Sequence, residues 1–241
     1  MTTGRQGANV RLILSAVIAL AVLLLLIGGV VVVVLAIRQG RLDTSPRALL
    51  RLYLYALAFA SFLVLLFGAT SLVKAGLATV AGRGFSYYQV TYAYGPPPGT
   101  PPYKSGIAPG PVPVPTDQSE RPYRDDLVRG LALVLTGGLL WVLHWLGIRA
   151  LDPPEVRRTS LLAALYSGGL LAIAGLVTVV ALPWGIYSVL AYYVLPQDGN
   201  GPSNRPGDPL SYAIVFLPVL LYFLWRLVER ARGPRVVAKA A

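Results

Sequence analysis

The chain has no cysteine, which excludes disulfides, thiolate metal sites and cysteine nucleophiles and leaves the redox compartment unmarked. Histidine occurs once, at position 144, so one chain cannot supply a pair of axial haem histidines. Charge is scarce: 13% of the residues, against roughly 25% in an average soluble domain. Acidic residues number 10 against 21 basic ones, and none falls inside the apolar spans described below. Proton- or cation-coupled transporters use such carboxylates near the bilayer midplane, so their absence weighs against that class. Aspartate pairs, His-rich metal motifs and Ser/His couples are missing from the spans, as are glycine-rich nucleotide loops, which removes the usual enzyme signatures. The expectation is a protein that is not an enzyme and carries no metal or dedicated cofactor.

What is present is hydrophobic length. The 241 residues are 55% hydrophobic, with a mean hydropathy of +0.62. Positions 12–37, between Arg11 and Arg38, contain no charged residue; a helix crosses the hydrocarbon core with roughly 20 such residues. This run is too long for the h-region of a signal peptide and has no small-residue cleavage site at its end, so a retained first helix is expected. Further uncharged runs occupy 52–73, 130–148, 159–197 and 209–225. The sequence therefore predicts an all-α polytopic membrane protein with five transmembrane helices. The net charge of +11 resides largely in arginines at the ends of apolar runs, where they set topology and meet anionic head groups, so membrane lipids rather than nucleic acid are the expected partners.

Arg38, Arg41, Arg47 and Arg51 follow the first span, Arg149, Arg157 and Arg158 the third, and Arg226 to Lys239 the fifth. The positive-inside rule then places the C-terminus in the cytoplasm and the N-terminus outside the plasma membrane. The expected parts are an outer tail at 1–10, a first helix at 11–38, helix pairs within 45–150 and 157–232, and a basic tail at 233–241. Residues 82–124 form a long outer loop carrying Tyr87, Tyr88, Tyr92 and Tyr94 and then Pro96 to Pro98, Pro101, Pro102 and a proline run from 109 to 115. Prolines favour extended polyproline II geometry, so this loop reads as a spacer, with docking to an aromatic-lined groove as the sharper reading. A shorter Gly/Pro loop lies at 196–209. The run 159–197 is too long for one span; a span ending near Leu182 is expected, followed by an interfacial aromatic segment at Trp184, Tyr187, Tyr192 and Tyr193.

The second and fourth spans start alike, with Arg47 through Tyr55 aligning on Arg158 through Tyr166. Each leads to an outer loop and a partner helix that ends in aromatics, Trp141 to Trp145 in one case and Tyr222 to Trp225 in the other. An even number of spans per unit makes this a parallel repeat about an axis along the membrane normal. The Arg-Leu-Tyr-x-Tyr start at 51–55 and the Leu-Trp-x-Leu-His-Trp end at 140–145 resemble an uncharacterised bacterial family of multi-pass membrane domains of unknown function, found in Chloroflexota and their relatives. The resemblance covers about 45–232, implies the paired-helix fold and brings no established activity. The second copy departs from it at Ala163 and Ala164 and where Leu224 replaces the histidine.

Candidate residues follow from position. His144, near the inner end of the third span, is either a haem or pigment ligand or an interfacial histidine hydrogen-bonded among aromatics, the latter being preferred. Arg51, Tyr53, Tyr55, Trp141, Trp145, Trp184 and Trp225 are expected to anchor the helices at the interface. Lys74 reads as an outer anchor, and Asp117, Glu120, Asp125 and Asp126 as a solvated acidic loop without calcium-loop spacing. Gly168, Gly169, Ala172 and Gly175 form a small-residue face for helix packing, within the bundle or in an oligomer, and Gly137-Gly138 a second close-approach point. The function expected is an accessory or scaffold subunit of a membrane complex, with a protein partner or homo-oligomer; a small-molecule or lipid channel or transporter is the alternative, and haem or pigment binding through His144 the second.

Overall fold

The computed structural model describes residues 28–31, 34, 38, 45–87, 120–155, 160–195 and 205–231. From residue 45 onward the described residues form five helices: α1 Pro46–Val80, α2 Arg83–Ser86, α3 Glu120–Leu151, α4 Leu161–Val194 and α5 Gly207–Ala231. No strand occurs among the described residues. Four of the helices are long and apolar enough to cross a membrane, a pattern compatible with a multi-pass membrane protein. Most of the expected first span, the proline-rich stretch at 88–119 and the tail at 233–241 lie outside the described residues.

Local chemistry sets the helix starts. Ser45 precedes Pro46 and its side chain accepts from the Ala48 amide at 3.4 Å; the proline itself has no amide needing a partner in the first turn. Ser160 caps α4 in the same way, accepting from Ala163 at 3.2 Å. α1 stops at a break formed by Ala81 and Gly82, whose φ of +91° suits glycine. The span expected to end near Leu182 belongs to a longer helix, since α4 runs unbroken through Pro183 to Val194. A proline removes only one helical hydrogen bond, and transmembrane helices tolerate that loss where interior breaks in soluble helices are costly. At 34 residues and about 1.5 Å per residue, α4 is roughly 50 Å long and overshoots a ~30 Å hydrocarbon core.

The long helices alternate in direction. α1 packs most extensively on α3, α4 on α5, and α1 joins the two pairs chiefly through α5. One cluster of buried side chains, Leu66, Ile173, Ala174, Val177 and Phe216, fills the junction of α1, α4 and α5. A second, Tyr55, Ala58, Ile148 and Leu162, joins α1, α3 and α4 nearer the Pro46 end.

Candidate functional site

The densest chemistry lies at the Val80 end. Lys74 is on α1 roughly 16 Å from that helix's midpoint, which puts it at the edge of a ~30 Å core. Its Nζ lies 3.0 Å from Asp126 Oδ2 of α3 and 2.9 Å from Asp208 Oδ1 of α5. Asp208 is in the first turn of α5, where the helix dipole favours negative charge. Two carboxylates thus share one ammonium and draw three helices together. Lys74 is therefore a bridging cation rather than a free anchor, and Asp126 is a paired helical residue rather than part of a solvated loop. Spacing along the chain could not reveal this, because the partners are 52 and 134 residues from Lys74.

The short helix α2 roofs this cluster. Tyr87, just past it, donates its hydroxyl to Asp126 Oδ2 at 3.0 Å, and its ring centroid is 4.8 Å from Lys74 Nζ. Ser86 donates to the Lys74 carbonyl at 3.0 Å. Phe85, Ser86 and Tyr87 are all buried, Phe85 meeting the Tyr192 ring edge-on at 5.3 Å. Burial, reinforced by the bond to Asp126, pushes the Tyr87 hydroxyl well above its ordinary tyrosine value. Beside the roof, the Arg83 guanidinium stacks 3.4 Å from the Tyr123 ring centroid and reaches Glu120 at 3.0 Å. Glu120 in turn pairs with Arg124 at 2.8 Å. Asp125 is exposed on α3, and Asp117 lies outside the described residues.

The opposite end carries the Arg51–Asp152 pair. Arg51 Nε lies 2.6 Å from Asp152 Oδ1, whose side chain is 1% exposed, so Arg51 fastens the end of α3 to the start of α1. The aromatics expected at the lipid interface divide into two sets. Tyr55 is buried, and Trp141 donates its indole N–H to the Tyr166 hydroxyl at 3.0 Å. Trp145 stacks on Tyr166 at 6.1 Å and on Trp141 at 6.2 Å. Tyr53 and Trp225 stay exposed, and Trp184 is half-buried on α4. His144 is half-buried, its ring 5.9 Å from that of Tyr53. Its Nδ1 lies 2.6 Å from the Leu140 carbonyl; a carbonyl can only accept, so Nδ1 carries a proton and Nε2 is the nitrogen left for a ligand. No group of three or more His, Cys, Asp or Glu arranged to hold a metal occurs among the described residues.

The small residues also part ways. Gly169 faces inward, its Cβ position 3.0 Å from the Phe59 ring, and Gly175 meets Leu220 at 3.6 Å. Gly168 and Ala172 face outward with Ala164, and nothing lies within 4 Å of a Cβ at Gly168. Two of the long helices, α1 and α3, approach each other closely elsewhere. A Cβ on Gly137 would fall 2.6 Å from the Leu65 amide nitrogen, one on Gly68 2.7 Å from the Leu133 Cβ, and one on Gly130 3.0 Å from the Gly68 carbonyl. Gly68 and Gly130 escape a sequence reading because neither stands beside a second glycine, as Gly137 and Gly168 do.

Residues 107–204 match a family described as a domain of unknown function, DUF5671. The stretch holds α3 and α4 and includes Trp141 to Trp145, but leaves Arg51 to Tyr55 outside; it is shorter than the 45–232 that the resemblance implied. No curated protein and no solved structure matches the chain.

Proposed function

We propose that the chain is a non-enzymatic integral membrane protein that serves as a scaffold or accessory subunit, presenting the outer face of α4 to a protein partner or to a second copy of itself. The observation that carries this reading is the row Ala164, Gly168 and Ala172. These residues repeat every fourth position, are exposed, and leave open space over Gly168. In a bilayer, lipid fills against leucine as readily as against alanine, so rows of small residues mark places where another helix comes close. The Lys74 and Arg51 charges are meanwhile engaged within the chain, which leaves an apolar exterior suited to assembly. The same reading takes α1–α3 and α4–α5 as two copies of one helix pair in a bacterial plasma membrane. The N-terminus is then outside and the C-terminus cytoplasmic, following the arginine distribution.

The test is purification of a tagged copy from native membranes in mild detergent, with co-eluting proteins identified by mass spectrometry. A stoichiometric partner or a defined oligomer that is lost in Gly168→Leu, with helical content unchanged, supports the scaffold. Recovery as a lone, folded chain rejects it. The second reading, transport of a small molecule or lipid, then moves forward, because ionisable groups at the edge of the hydrocarbon core are functional candidates and Lys74, Asp126 and Asp208 are such groups.

A further inference from the structure

We propose that His144 is the axial ligand of a haem-type tetrapyrrole that reaches α3 from the surrounding lipid. Depth comes first. His144 lies five residues from the centre of the uncharged run 130–148, roughly 8 Å along the helix and inside the ~15 Å half-thickness of the hydrocarbon. An ionisable ring at that depth is costly, and such residues mark ligand or ion sites. Its Nδ1 is committed to the Leu140 carbonyl at 2.6 Å. Nε2 has no hydrogen bond or ion pair among the described residues, so a half-buried ring keeps one lone pair open.

The neighbouring groups are engaged elsewhere. Tyr53 of α1 meets the imidazole ring to ring, 5.9 Å between centroids and 59° between planes. Trp145 stacks on Tyr166, and Arg149 lies 5.7 Å over Trp145. Asp152, at the end of α3, is tied to Arg51 at 2.6 Å. Leu140 and Leu143, one turn before the histidine and next to it, are exposed, so a molecule dissolved in lipid can approach.

The class of ligand follows from what one nitrogen can hold. A bare transition-metal ion takes three or four protein donors. The chain has one histidine and no cysteine, and no group of three His, Cys, Asp or Glu suited to a metal occurs among the described residues. A metal that arrives with four macrocycle nitrogens needs one more, which a single histidine supplies. Donation from the opposite ring nitrogen to a backbone carbonyl is the usual companion of a metal-bound histidine, because it fixes the tautomer and strengthens the nitrogen that binds. An apolar macrocycle also crosses hydrocarbon to such a site, which a hydrated ion does not. The histidine is on α3 and the Ala164, Gly168 and Ala172 row is on α4, so this inference and the scaffold reading fail separately.

Haemin titrated into the full chain in lipid nanodiscs tests this, with empty nanodiscs as the blank for haem dissolved in lipid. The expected result is a shifted Soret band that saturates at one haem per chain. His144→Ala is expected to bind about tenfold or more weakly, since loss of even an outer partner of a ligating histidine costs that much. Imidazole added to that variant should restore the shift. Tyr53→Phe, which keeps the ring and removes only the hydroxyl, should retain it. A band no different from that of empty nanodiscs overturns the proposal and leaves Nε2 to a lipid hydroxyl or a partner helix. An equal shift in wild type and His144→Ala also overturns it, because the haem would then sit elsewhere. Should His144→Ala lose helical content, His144→Gln takes its place, removing the imidazole while keeping a polar side chain.

Discussion

Asp152 is the most deeply buried acid described, at 1% exposure, and its charge is tolerable because Arg51 meets it at 2.6 Å. Removing one partner leaves the other uncompensated, which costs about 3–5 kcal/mol when both are buried. Arg51 is 34% exposed and water recovers part of the loss, so Arg51→Ala should cost less, about 1–3 kcal/mol. A double-mutant cycle by denaturant titration in detergent is the measurement; a coupling near zero would mean that the two residues act separately. Tyr87 gives a second expectation, with its sign fixed by linkage. Its hydroxyl is raised above the ordinary value by burial and by Asp126, so its contribution to stability is complete below about pH 10 and disappears as the pH climbs past that point. In tyrosinate absorbance, Tyr87→Phe should leave the main titration near pH 10 unchanged and remove amplitude only from the most alkaline part. Loss of amplitude in the main titration would show Tyr87 to be freely solvated.

At the scale of elements, the α1–α3 contact depends on glycine. Gly137→Ala places a methyl 2.6 Å from the Leu65 backbone nitrogen, and backbone cannot rotate away as a side chain can. The helices must separate locally, at about 1–3 kcal/mol for overpacking. Gly168→Ala, with open space above it, should be neutral for folding, and slightly favourable through helix propensity. Thermal unfolding of the two variants should differ in that order, and equal stabilities would refute the packing. These contacts also mark what sequence could tell. Apolar length alone located α1, α3, α4 and α5, because a bilayer demands it. The Gly168–Gly175 stripe was legible as small residues, but not which of them turn inward, since that depends on where Phe59 and Leu220 arrive. Lys74 looked like an anchor because its carboxylates come from two other helices, and the aromatic segment after Leu182 gave no sign that it continues the same helix through Pro183. Trp141 and Tyr55 read as interfacial aromatics, whereas Tyr166 claims both from within the bundle.

At the scale of the whole molecule, two well-packed helix pairs meet along one seam, and Phe216 is its centre. Its side chain is 0% exposed, between Leu66 of α1 and Ile173, Ala174 and Val177 of α4, with the Phe67 ring 6.0 Å away. In water, Phe→Ala in a core costs about 3–5 kcal/mol, a sum of lost transfer energy and the cavity left behind. In a bilayer the transfer part shrinks, because the separated helices would expose the ring to lipid rather than water, and packing is what remains. Phe216→Ala should therefore cost about 1–3 kcal/mol. The loss should also be confined to the seam, with α1–α3 and α4–α5 each still paired. Introduced cysteines can report this cleanly, because the chain has none of its own. A disulfide pair placed across α1 and α5 should form more slowly in Phe216→Ala, while one across α1 and α3 should form at the wild-type rate. Equal slowing of both would mean that the bundle is one cooperative unit with no preferred seam, and the paired-helix architecture would then have no mechanical meaning.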